Sequence, residues 1–115
     1  MALTEIDIKR CEKIVGAFVE RRRPPRHLRA QVDLAFRICG QSVEIFEIRP
    51  AWNDATRILE HPFAKATYNR SRRIWKIYWR RADLKWHGYE PVPAVESLEQ
   101  FVAVVDEDSY GCFFG

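Results

Sequence analysis
Residues Ile74–Pro91 read IWKIYWRRADLKWHGYEP and hold three of the chain's four tryptophans and two of its four tyrosines. In the first half, Trp75, Ile77 and Trp79 alternate with Lys76, Tyr78 and Arg80, the period of a strand with one dry and one wet face. After Arg80-Arg81 the parity inverts: Ala82, Leu84 and Trp86 become the apolar set, and Asp83, Lys85 and His87 the polar one. Side chains of a regular strand alternate strictly, so one strand cannot keep a buried face through that inversion. A bulge or bend at Arg80-Arg81, slipping one residue, restores the alignment. On that reading Lys76, Tyr78, Arg80, Asp83, Lys85 and His87 form one long polar face backed by Trp and Ile.

Working outward, Asn69–Arg73 (NRSRR) is the cationic loop that enters this strand, and Phe63–Tyr68 before it reads as a strand whose Ala64 and Ala66 face Trp75 and Ile77. His61-Pro62 sets up an extended entry to it. Gln31–Arg49 forms the clearest hairpin. Val32, Leu34, Phe36 and Ile38 alternate with polar or small residues, and Gly40-Gln41 suits a type II′ turn. That turn sets Cys39 opposite Ser42, Arg37 opposite Glu44, Ile38 opposite Val43 and Phe36 opposite Ile45. Phe46 and Ile48 then fall on the polar face, where Trp52 or the following segment is expected to meet them. Pro50 is read as the end of the second strand, and Trp52–Glu60 as a helical turn or irregular loop.

Both ends read as helices. Thr4 and Asp7 make an N-cap, and Ile8, Cys11, Ile14, Val15 and Phe18 recur at three- and four-residue steps. Arg21-Arg22-Arg23 and Pro24-Pro25 then close that helix. Ser97 with Gln100 is a capping box ahead of Leu98, Phe101, Val102 and Val105. Asp106-Glu107-Asp108 is unfavourable at a helix C-terminus and marks the second helix's end. The prolines of PVPAV make a stiff connector before it, and the terminal YGCFFG is apolar enough to fold back onto the sheet. The order predicts one α+β domain, residues 1–115, built as a two-layer sandwich with a four- to five-stranded antiparallel sheet.

The net charge of +3 conceals three blocks. Residues 1–20 carry a net −1, residues 21–91 a net +9, and residues 92–115 five acids and no base; 14 of the 19 basic residues are Arg, which suits planar contact with phosphate or carboxylate. Three widely spaced cysteines, Cys11, Cys39 and Cys112, and a start that lacks a signal peptide's apolar core fit a reduced, cytoplasmic chain. No apolar run reaches membrane-spanning length, so no membrane partner is expected.

The run HPFAKATYNRSRRIWKIYWRRADLKWHGYEPVP, a short helix and DEDSYGCFFG resemble a bacterial family defined as domain of unknown function number 3024. The resemblance covers nearly the whole chain and is most specific at Trp79–His87 and Asp106–Gly115. It implies a small, stand-alone bacterial domain and brings no activity, cofactor or catalytic residue.

From the residues themselves, the leading function is nucleic-acid binding. Arg70, Arg72, Arg73, Lys76, Arg80 and Lys85 would hold phosphates, Tyr78 would stack on a base, and His87 would complete the face. The alternative is a protein-interaction module that joins the basic face to an acidic partner, with Trp52, Phe113 and Phe114 as anchors if exposed. Less favoured is an enzyme: Asp83, Lys85 and His87 could do acid–base work, and Asp33 beside Glu47 and Arg49 faintly resembles a metal-dependent nuclease. No cofactor is expected, because His27, His61, His87 and the cysteines lack metal-ligand spacing.

Overall fold
The computed structural model describes residues 3–114; Gly115, the last residue of the apolar tail, lies outside the described residues. Helix α1 spans Glu5–Arg22 and opens on the expected Thr4 N-cap, which is a full capping box: the Thr4 hydroxyl accepts from Asp7 N–H and the Asp7 carboxylate accepts from Thr4 N–H. A single 3-10 turn at Arg26–Leu28 leads into strand β1, Asp33–Cys39. There follow β2 (Ser42–Ala51), β3 (Asp54–Asn69), β4 (Ile74–Arg80), β5 (Trp86–Gly88) and β6 (Ala94–Val95). Helix α2, Leu98–Glu107, closes the order behind its own Ser97–Gln100 capping box.

The strands form one open antiparallel sheet in the order β1-β2-β3-β4-β5, with β6 also paired to β4. The fold is therefore α+β with a helix at either end and five to six strands, one more than the upper sequence-based count. In the first hairpin all four predicted partners hold: Cys39–Ser42, Arg37–Glu44, Ile38–Val43 and Phe36–Ile45. Gly40 takes a φ of +59° in its turn, a conformation glycine reaches without a Cβ clash.

Three stretches differ from expectation. Pro50 does not end β2, which runs on to Ala51. Strand β1 reaches only as far as Ile48, so the missing N–H of Pro50 leaves no neighbour unpaired. Trp52–Glu60 is not a loop: Trp52-Asn53 is a tight turn, and β3 starts at Asp54. Strands β2 and β3 thus extend as a two-stranded arm beyond β1 and beyond β4, whose pairing with β3 begins at Ala64. Lastly, the register between β2 and β3 slips after Ile45, leaving Phe63 as the extra residue between Pro62 and Ala64. Phe63 and Ala64 consequently both enter the core.

The deciding stretch differs as well. No bulged strand crosses Arg80-Arg81. The chain reverses there, and β5 returns beside β4 with Tyr78 opposite Gly88, Trp79 opposite His87 and Arg80 opposite Trp86. The reversal is closed by Leu84 N–H donating to Arg81 C=O and Arg81 N–H donating to Lys85 C=O. Leu84 sits in the left-handed region at φ +63° and carries no glycine-like freedom. The inverted parity was thus a turn, written without Gly or Asn.

Both helices pack on one face of the sheet. The core gathers Cys11, Val15 and Phe18 from α1, Leu98, Phe101 and Val105 from α2, and Val43, Ile45, Ala64, Ala66, Trp75 and Ile77 from the strands. Each large member stabilises the fold by about 1.5–3 kcal/mol. Ala66 faces Ile77 as expected, while Ala64 faces Trp79, and Trp75 instead faces Tyr68. Past Gly88 the chain leaves the edge of β4, sends Tyr89 into the core and rejoins at β6. The tail does fold back: Asp108 carboxylate oxygens accept from Phe113 and Phe114 N–H, and Phe113 packs on Tyr89 with ring centroids 4.9 Å apart.

Candidate functional site
Strand parity places the residues of the open face, opposite the helices. Directly opposed residues of an antiparallel pair share a face, so the buried Ala64, Ala66, Trp75 and Ile77 fix Lys65, Thr67, Lys76, Tyr78 and Arg80 on the other side. Trp86, opposite Arg80, joins them. Lys65 Nζ stands 5.0 Å from the centroid of Tyr78 and 4.8 Å from that of Trp86, an ammonium held between two ring faces.

Of the residues picked from sequence, Lys76, Tyr78 and Arg80 share this face, and Arg72 and Arg73 stand exposed in the β3–β4 turn beside it. Lys85 is exposed in the β4–β5 turn. Arg70 turns towards the N-terminus of α1, where it meets Asp7 at 3.4 Å. His87 lies opposite Trp79 and therefore faces the helix side. The single polar face running from Lys76 to His87 is therefore not formed: a chain reversal, unlike a bulge, sends Asp83 and Lys85 into the turn and His87 to the far side. Lys65 and Trp86 were missed. The burial of Ala64 and Ala66 signals Lys65, whereas placing Trp86 required knowing that the chain turns back.

The open face has two unlike halves. Over β1 and β2, Arg37 is 3.5 Å from Glu44 and 2.8 Å from Glu60, and its guanidinium lies 4.5 Å above the centroid of Phe46. Phe46 and Ile48 do meet the following segment, opposite Pro62 and Glu60 of β3, and Arg37 lies over the Phe46 ring as well. This half is neutralised. Over β3 to β5, among the described residues, Lys65, Arg72, Arg73, Lys76, Arg80 and Lys85 form no ion pair with a carboxylate. Arg80 Nε donates to the Leu84 carbonyl at 3.2 Å, which holds its guanidinium beside the turn.

The carboxylates considered for catalysis are engaged elsewhere. Asp83 accepts from Lys85 N–H at 2.9 Å and lies 2.8 Å from His87 Nε2; those two hydrogen bonds, the backbone one first, lower its pKa. Asp33 is gripped by Arg23 through two bonds of 2.9 and 2.8 Å, which hold its carboxyl below the usual range. Asp33 lines one cleft with Glu47 and Arg49, but Arg23 holds its carboxylate and Arg49 lies 3.0 Å from Glu47, so each is engaged in an ion pair. Among the described residues no cluster of three His, Cys, Asp or Glu could hold a metal ion, and no helix is long and apolar enough to cross a membrane. Cys11, Cys39 and Cys112 are unpaired, and burial pushes the Cys11 thiol up to about 11. Of the proposed anchors, Trp52 is 97% exposed, Phe114 borders on exposed and Phe113 is buried.

No curated protein and no solved structure matches the chain significantly. A family model described as Domain of unknown function (DUF3024) matches residues 3–115, and with that match, over a fold whose helices lie on one side and whose cations lie on the other, the chain belongs to this family.

Proposed function
We propose that the open face from β3 to β5 binds nucleic acid. The observation that carries this reading is the Lys65 ammonium seated between the Tyr78 and Trp86 rings, with Lys76 and Arg80 on the same side and, among the described residues, no carboxylate paired to any of them. Lys76, Arg80, Arg72, Arg73 and Lys85 take phosphates; Arg70 and His87 stand at the margins. The acidic α2, which could repel a polyanion, lies across the sheet from this face.

Lys65 is the internal placeholder for the ligand. An exposed cation over a ring contributes about 0.5–1 kcal/mol. A base stacked on that ring contributes about 1–3 kcal/mol, and the displaced ammonium can then meet a phosphate. Exchange of lysine for base is therefore favourable.

The test is fluorescence anisotropy of a labelled single-stranded oligonucleotide at increasing salt. With about five phosphates neutralised, log K should fall against log salt with a slope of about −3.5. Absence of binding at low salt would overturn the reading. Binding of polyglutamate as tight as that of the oligonucleotide would assign the cations to an acidic protein instead.

A further inference from the structure
We infer that the ligand is a single unpaired strand that leaves the sheet, follows the β2–β3 arm and stacks on Trp52. This rests on the reading above and extends it along the molecule. Three features line the route. The first is a cleft of about 370 Å³ between the arm's base and the β4–β5 turn, walled by Leu59, Glu60, His61, Pro62, Arg80, Arg81 and Leu84. Arg80 belongs to both the cleft and the open face, so the two are continuous. Leu84, 70% exposed, is held at the cleft's rim by its left-handed backbone.

The second feature is the outward row of the arm. Pro62 opposes Phe46, Glu60 opposes Ile48 and Ile58 opposes Pro50, so these residues continue the open face past the bulge. Glu60, the acid on this row, is held by Arg37 at 2.8 Å. Ile58 is 58% exposed. The third is the tip: Trp52, in the turn between β2 and β3, is 97% exposed. An isolated two-stranded ribbon is marginal in water, and Trp52 adds almost no buried surface to it.

Stacking platforms select the ligand. A duplex keeps its base faces inside the stack, whereas an unpaired strand can offer them one after another to Trp86 or Tyr78, to the cleft and to Trp52. From Glu44, the partner of Lys65, to Trp52 is about eight residues along β2, roughly 26 Å at about 3.3 Å each. That length takes about eight nucleotides at a rise of about 3.4 Å, fewer if the strand is stretched, which lies within the about 4–16 typical of small single-strand folds.

Anisotropy should be measured with single strands of about four and about twelve nucleotides and with the longer sequence as a duplex. Trp52→Ala should weaken the longer strand by about tenfold and leave the shorter one unchanged, and Trp52→Tyr should restore most of the loss. The thermal midpoint should not move, because Trp52 touches little. A silent Trp52→Ala with both lengths still bound overturns the arm route alone, as does a duplex bound as tightly as the single strand. If neither length binds, the underlying reading falls with it.

Discussion

Arg22 and Lys76 belong to opposite sides of one sheet and have opposite surroundings. Arg22 lies 3.4 Å from Asp106, its guanidinium 4.2 Å over the Phe114 ring. Its neighbours on the helix side are likewise matched: Arg10 with Glu99, Arg21 with Asp106, Arg23 with Glu20 and Asp33, Arg70 with Asp7. Lys76 is exposed, with no such partner among the described residues. The acidic flanks of the sequence thus neutralise the helix layer, and the surplus of the basic middle collects on the bare face. Net charge alone does not reveal this segregation; only topology does. It also predicts that removing a cation from the first layer costs stability, and from the second costs binding.

The sharpest break would come at Arg23. Arg23→Ala leaves the partly buried Asp33 without its two charge-assisted bonds and should lower the urea midpoint of unfolding, more than any other cation removed from this layer. The same variant should alter the acid limb. Asp33 has a depressed pKa in the folded state, so its contribution is present above the unfolded value of about 3.9 and is lost as pH falls through the folded value. Arg23→Ala should flatten that part of the stability profile; an unchanged profile would mean the pair contributes nothing. Next in size, Arg72→Ala with Lys76→Ala should weaken oligonucleotide binding by about tenfold and make the salt slope shallower by about 1.4. Stability should stay within about 0.5 kcal/mol, and Arg22→Ala should leave the slope untouched. Equal effects from both layers would erase the distinction. Smallest, Leu84→Gly should relieve the left-handed backbone and raise stability by about 0.5–1 kcal/mol in thermal unfolding. A loss would show that its side chain stabilises the turn.

Where chemistry is local, the sequence was legible. The Thr4 N-cap, the Ser97 capping box and the Gly40-Gln41 hairpin each depend on residues within a few positions, and all three form as read. The errors came where a neighbour changes the rule. Pro50 is tolerated in a strand because β1 has already ended. Leu84 makes a turn with no glycine because the pairing of Arg80 with Trp86 holds it. In the candidate site, alternation put Lys76, Tyr78 and Arg80 together correctly, since buried Trp75 and Ile77 anchor the period. Trp86 and His87 were misplaced by the same step, because a reversal and a bulge leave identical traces in a parity count.

The chain's return from Gly88 to Ala94 has a consequence for self-association. Ile77 donates to the Pro93 carbonyl and accepts from Tyr89 N–H, so the interrupted segment still occupies the hydrogen-bonding groups of β4 along its outer margin. Two short pieces separated by prolines make a poor template for an incoming strand. Fibrillar growth from that margin is blocked, and any stacking of copies in register must begin at β1 or along the bare flanks of the arm.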